Sequence, residues 1–254
     1  MKVVLLAGGL GTRLAEETHK IPKPMVQIGN LPILIHIMKI YSFYGFKDFV
    51  ICGGYKHEEI IKYFKNYLDF KLKKKNKHQH IFFSTNKSWN VNIVYTGKKT
   101  NTGGRILKIK DLINEESFFM TYGDGLANIN IKNLLNFHTK NKNIVTMTAV
   151  KPPGRFGVVK INKSIVTKFQ EKVDNKNVWI NGGFFVFKNE IFKYIKKNSN
   201  SLEKDVLTKI TKIKKLNAYK HNNFWQPMDT LRDKNELNEI WKKGKAPWKR
   251  SEKK

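Results

Sequence analysis

A short apolar run that empties into glycines constrains this chain more than any other feature: residues 2–7 read KVVLLA and residues 7–13 read AGGLGTR. Val and Leu in an unbroken run, without polar alternation, predict a strand buried on both faces, as in a parallel sheet. Glycines directly after a strand allow positive φ and close backbone approach, so successive N–H groups can line an anion-binding nest. Thr12 adds a hydroxyl, and Arg13 adds a planar, permanently charged fork. Phosphate is the ligand such a loop suits. Two familiar phosphate loops are excluded: the dinucleotide fingerprint needs a glycine where Leu14 stands, and the Walker loop needs a Gly-Lys-Ser/Thr that does not follow.

Apolar period then alternates along the chain. PILIHIMKIYSFYG (32–45) starts with Pro32 in its first turn and ends at Gly45, with apolar residues at helical spacing. DFVICGG (48–54) reads as a strand and HEEIIKYFKNYL (57–68) as a helix. VNIVYTG, GGRILKIKDLI and SFFMTYGDG continue as strand, helix and strand over 91–125. IKNLLNFHTK then predicts a helix and NIVTMTAV a strand. FGVVKIN and IVTKFQEK suggest a hairpin-like pair, and VWINGGFFVF a strand with a glycine bend. Helical stretches near 202–214 and 230–243 flank LNAYKH, a short strand. This alternation predicts an α/β chain with a Rossmann-like, mixed, mostly parallel sheet flanked by helices. No linker or internal repeat divides it, so one domain over 1–254 is expected, with a polar insertion at about 70–90.

Hydrophobic residues form 40% of the 254-residue chain, enough to bury a sizeable core. No apolar run approaches the roughly 20 residues that span a bilayer, and the chain is expected to be cytoplasmic. The 49 Lys and Arg against 20 Asp and Glu give a formal charge of +29, which would attract polyanions. The lysines are spread among many Asn and Ile, however, a compositional bias rather than a patch, so nucleic acid is not the expected partner. KLKKKNKHQH (71–80), the densest cluster, reads as a solvated loop or flap. The single Cys52 reads as a small buried thiol, the seven histidines lack zinc-ligand spacing, and no G-x-S-x-G elbow is present.

Lys23 stands between Pro22 and Pro24. Proline fixes its own φ and restricts the residue before it, so the backbone carrying Lys23 is stiff and extended, a suitable stalk for a catalytic cation. Asp124, in TYGDG, closes an apolar strand at its carboxyl end, where open α/β sheets bind ligands. A carboxylate there can hold Mg²⁺ together with substrate phosphates. Asp229, in QPMDT, stands where it could cap the helix that follows, a place that also leaves it open to serve as a ligand. Arg105, in TGGR, opens a helix whose N–H groups could join it in receiving an anion or a base edge.

LLAGGLGTRL followed by KPM resembles the signature of the sugar-1-phosphate nucleotidylyltransferases. EETHKIPKPMVQIG, TGGR, TYGDG, PPGRFG, INGGFFVF, FWQPMDTLRDKNEL and KGKAPWK extend that likeness along nearly the whole chain, toward the cytidylyl branch. The resemblance implies the nucleotide-diphospho-sugar transferase fold, transfer from CTP to α-D-glucose 1-phosphate, Mg²⁺ as cofactor and a homo-oligomer. It implies a nucleotide site of Leu6, Ala7, Gly8, Gly9, Gly11, Thr12, Arg13, Lys23, Thr100, Arg105 and Gly123, with Arg13 and Lys23 catalytic. It places the metal on Asp124 and Asp229, and the sugar phosphate within about 150–230, at Glu171, Lys172, Asn181 and Gly182. One departure is Val173, where the family often has proline after that lysine.

Overall fold

In the computed structural model, which describes residues 1–67, 69–152, 158–162, 164–170 and 178–249, the opening apolar run is the strand β1 (Val3–Ala7). Val3, Leu5 and Ala7 enter one core while Val4 and Leu6 enter a second on the other face. Successive side chains of a strand point to opposite faces, so an all-apolar run is what a strand covered on both sides needs. The glycine loop leads into a short helix α1 (Ala15–Thr18), and a two-strand clip of β2 (Gln27–Ile28) and β3 (Leu31–Pro32) precedes α2 (Ile33–Phe43). Then come β4 (Asp48–Gly53), α3 (His57–Asn66), β5 (Phe70–Lys75), β6 (Gln79–Ser84) and β7 (Trp89–Tyr95).

The middle of the chain supplies α4 (Thr102–Leu107), β8 (Ser117–Tyr122), β9 (Gly125–Ala127), α5 (Ile131–Asn141) and β10 (Val145–Val150). The expected hairpin forms from β11 (Val158–Asn162) and β12 (Ile165–Gln170), outside the main sheet. The last elements are β13 (Ile180–Lys188), α6 (Thr208–Lys212), β14 (Leu216–His221), β15 (Trp225–Pro227) and α7 (Leu231–Lys242). Nine strands make one sheet in the order β14-β10-β13-β8-β1-β4-β7-β6-β5. β8, β1, β4 and β7 run parallel, and β13 is antiparallel to both of its neighbours, so the sheet is mixed and mostly parallel at its centre.

Three local expectations change. Residues 71–80 are not a solvated loop: β5 and β6 pair antiparallel and extend the sheet beyond β7. Phe70 and Phe82 carry that hairpin into the core, Phe70 beside Trp89 of β7, while Lys71, Lys73, Lys74 and Lys75 are exposed on the outermost strand. Lysines on an edge strand discourage pairing with another chain, so a lysine-rich strand is a workable edge. The helix expected over 103–113 ends at Leu107 and continues only as a 3₁₀ turn, Lys110–Leu112. The helix expected over 202–214 opens as a π-type segment, Leu202–Leu207, before α6. No helix among the described residues is long and apolar enough to cross a membrane.

Candidate active site

The carboxyl ends of β1 and β8 and the amino end of the antiparallel β13 border a cleft of about 740 Å³, lined by residues 6–13, Lys23, Lys98 to Thr102, Arg105, Tyr122 to Gly125, Asn181, Gly182, Trp225 and Asp229. The glycine loop forms one wall. Gly11 has φ 69°, a conformation that costs a residue with a Cβ, and its carbonyl accepts from Leu14 N and from the Thr18 hydroxyl. The Gly8 carbonyl accepts from Tyr55 N at 3.2 Å and from Arg105 Nη2 at 2.8 Å. In a trans peptide the carbonyl and the next N–H point in opposite directions. Holding the Gly8 and Gly11 carbonyls inward therefore turns the Gly9 and Thr12 N–H groups toward the cleft, as an anion nest requires.

Arg105 is the strut behind that wall, not a cation open to a ligand at a helix mouth. It is 4% exposed, and its Nη1 also donates to the Thr96 hydroxyl at 2.7 Å and to the Gly97 carbonyl at 2.9 Å. The fit behind the loop is close: a Cβ on Gly8 would lie 2.1 Å from Arg105 Nη1. A fork of fixed donors is what several converging oxygens need, which is why arginine rather than lysine suits the place.

Lys23 sits in a 3₁₀ turn, Lys23–Met25, after the extended Pro22. Its Nζ lies 2.7 Å from Asp124 Oδ2 and 2.7 Å from Asp229 Oδ1. Arg13 Nη1 donates to the other Asp229 oxygen at 2.8 Å. Burial alone would lower the Lys23 pKa, but the two carboxylates outweigh it and hold the ammonium above its ordinary 10.5. The two aspartates meet because β9 and β15 pair, Gly125 opposite Pro227, and Met228 N donates to the Asp124 carbonyl at 2.8 Å. Thr230, not Asp229, caps α7, and its capping box with Asp233 also ties Asp229 N to Asp233 Oδ2 at 3.0 Å. The Asp229 carboxylate is thereby aimed at the cleft.

On the opposite side, Asn181 and Gly182 start β13, and Trp225 Nε1 donates to the Gly182 carbonyl at 2.7 Å. Thr100 and Gly123 line the cleft, as do Leu6 and Ala7 at the end of β1. Glu171 and Lys172 fall outside the described residues. Lys98, Lys99, Tyr122 and Trp225 also line the cleft and were not singled out by sequence reasoning. Their signal was adjacency: each stands within four residues of a candidate already chosen, Thr100, Asp124 or Asp229.

Comparison with known proteins bears on what such a cleft does. A family model described as nucleotidyl transferase matches residues 2–241. The chain belongs to that family. The glucose-1-phosphate cytidylyltransferase of Salmonella typhimurium is 46% identical over 254 residues, covering 98% of this chain and 99% of the relative. The mannose-1-phosphate guanyltransferase of Schizosaccharomyces pombe is 27% identical, over 91% of this chain and 62% of that one. Among solved structures, a UDP-glucose pyrophosphorylase complexed with UDP-glucose superposes with a TM-score of 0.68 at 18% identity, covering 96% of this chain and 98% of that one. At that identity the likeness speaks for the fold, which this nucleotidyl transferase shares.

The donor chemistry of the paired aspartates fits a divalent metal. Both carboxylates already converge on one cation, the Lys23 ammonium, and they are hard oxygen donors of the kind Mg²⁺ takes. Among the described residues no group of three or more His, Cys, Asp or Glu gathers elsewhere as a rival metal site.

Proposed function

We propose that this nucleotidyl transferase moves the cytidylyl group of CTP to α-D-glucose 1-phosphate, giving CDP-glucose and pyrophosphate. One observation carries the chemistry: Arg13, Lys23, Asp124 and Asp229 form a four-charge cluster within ion-pair distance at the mouth of the glycine loop. The choice of cytosine and glucose is supported by the near full-length similarity to the Salmonella cytidylyltransferase.

A phosphate oxygen of the sugar phosphate attacks the α-phosphorus of CTP. A new P–O bond forms there, and the bond from the α-phosphorus to the bridging oxygen breaks, its electron pair leaving with pyrophosphate. No general base is needed, because a sugar phosphate is already ionised near neutrality. What the protein must supply is alignment and preorganised positive charge. The Gly9 and Thr12 N–H groups, oriented by the inward carbonyls, meet the triphosphate. Arg13 and Lys23, now neutralised by the aspartates, turn to phosphate oxygens when the nucleotide enters. Asp124 and Asp229 would hold Mg²⁺, which when bound would supply positive charge to offset that of the phosphates. Asn181 and Gly182 face the hexose, and Lys172 takes the sugar phosphate.

Incubating the protein with CTP, glucose 1-phosphate and Mg²⁺ and identifying the product by mass spectrometry tests this reading. CDP-glucose is expected. Its absence alongside an active control enzyme contradicts the proposal.

A further inference from the structure

The floor of the cleft carries a polar chain that the reaction above does not use. The Tyr122 ring lies across the end of β8, against Gly183 and, edge-on at 5.9 Å, against Phe185. Its hydroxyl donates to Glu203 Oε1 and accepts from Asn181 Nδ2 at 3.3 Å. Glu203 stands at the start of the π-type segment, where its Oε2 accepts from the Thr102 and Ser201 hydroxyls, each at 2.8 Å. Thr102 is the first residue of α4, the helix that carries Arg105. Four segments separated in sequence thus meet on one phenol oxygen and one carboxylate.

Hydrogen-bond bookkeeping gives this chain a direction. A phenol has one proton, and Tyr122 gives it to Glu203, an ionised carboxylate that can only accept. Burial pushes the Tyr122 hydroxyl up from its ordinary range, which keeps it protonated. At Glu203, burial would raise the pKa, but the Tyr122, Ser201 and Thr102 donors outweigh it and hold the carboxyl below 4.5. Tyr122 can therefore only accept from Asn181. At its other end the Asn181 amide accepts from Gly183 N at 2.8 Å, which fixes Oδ1 there and Nδ2 toward the phenol. One N–H of Nδ2 is spent on Tyr122, and the second remains for a ligand in the cleft that Asn181 lines.

We propose that Tyr122 and Glu203 are positioning residues for the sugar phosphate, locking the Asn181 amide so that it presents an N–H donor to a sugar hydroxyl or phosphate oxygen. The inference rests on the reading that Asn181 faces the hexose. It makes selectivity for the sugar partner depend on a carboxylate that touches neither substrate. With Glu203 removed, the phenol proton is free to turn, Tyr122 can donate toward Asn181, and the amide loses its single orientation.

The test is direct titration of glucose 1-phosphate into the intact protein, alongside steady-state kinetics. Tyr122→Phe keeps the ring on Gly183 and removes only the hydroxyl. The expected result is about tenfold weaker glucose 1-phosphate binding and a matching rise in its KM, with the KM for CTP within about twofold of the unaltered protein. Glu203→Gln retains one acceptor oxygen and is expected to fall between the unaltered protein and Glu203→Ala. The double variant Tyr122→Phe with Glu203→Ala should be no weaker than the worse single variant, because both break one chain. Glucose 1-phosphate affinity within twofold of the unaltered protein in Tyr122→Phe overturns the inference, as does an equal rise in the KM for CTP. A protein that binds glucose 1-phosphate but makes no CDP-glucose sinks the cytidylyl proposal instead, and the Tyr122→Phe affinity still decides this one.

Discussion

Lys23 Nζ and Asp229 Oδ1 stand 2.7 Å apart although 206 residues separate them in sequence. Asp124 shares the same ammonium at 2.7 Å, so without nucleotide the cluster of Arg13, Lys23, Asp124 and Asp229 is formally neutral. A triphosphate and a divalent cation entering together exchange partners with these groups without leaving an unpaired charge buried, a state that would be costly.

Replacing Lys23 with Ala is expected to lower kcat by at least about 100-fold, the scale of losing one preorganised charge, with an unchanged circular dichroism spectrum. Asp124→Asn should lose as much. The same Lys23→Ala protein should gain more thermal stability from added Mg²⁺ than the unaltered protein does, because no ammonium then competes for the two carboxylates. Equal Mg²⁺ shifts in the two proteins would contradict that competition.

Arg105→Lys tests the strut behind the glycine loop. A single ammonium cannot serve the Gly8, Gly53 and Gly97 carbonyls and the Thr96 hydroxyl together. Each acceptor left unpaired costs about 1–3 kcal/mol. A drop in that range or above is expected in chemical denaturation, together with a raised KM for CTP as the Gly9 N–H loses its fixed direction. A rise in the KM for glucose 1-phosphate alone would place the strut wrongly.

His36 makes stability fall in acid. Its Nε2 donates to the Ile28 carbonyl at 2.9 Å and its Nδ1 accepts from Trp248 Nε1 at 3.4 Å, so the Trp248 bond holds only while the ring is neutral. Burial lowers its pKa from 6.5 to about 4. The unfolded chain therefore binds the proton first. The contribution is complete above pH 6.5 and is lost as pH falls toward 4, by about 3 kcal/mol. Burial takes His138 down to about 4 as well, and it adds in the same direction. In urea titrations, His36→Gln should be less stable than the unaltered protein at pH 7, with the gap narrowing by pH 4; a constant gap would argue against it.

Trp248→Ala should remove about 3–5 kcal/mol, the usual cost of emptying a buried aromatic site. Trp248 is 2% exposed and stacks on Phe224 at 5.4 Å, next to the β15 strand that leads to Asp229. Thermal melting reads the loss directly, and a fall in the melting temperature of less than 2 °C would show that the carboxyl-terminal segment does not hold this corner together.

Much of the architecture was legible where the local signal and the tertiary demand agree. VVLLA is apolar at every position because β1 is buried on both faces, and Pro32 and Gly45 bracket α2. The β5–β6 hairpin was not legible, because its lysines mask a strand pair whose burial rests on two aromatics, Phe70 and Phe82. The candidate site was readable as a set of residues but not as a geometry. Nothing in the local pattern shows that Lys23 bridges Asp124 and Asp229, since their meeting depends on the pairing of β9 with β15. Nor does TGGR reveal that Arg105 faces inward, because that follows from carbonyls donated by residues near 8, 53 and 97. Tyr122 looked like one more residue of an apolar strand, and only the position of Glu203 gives it a role.

Pyrophosphate release, measured with glucose 1-phosphate and each of CTP, UTP and dTTP in turn, tests the central claim most directly. Rapid release with CTP and at least about tenfold slower release with the other two is the result the cytidylyl reading requires. Faster release with UTP or dTTP than with CTP, or release that does not depend on glucose 1-phosphate, would contradict it.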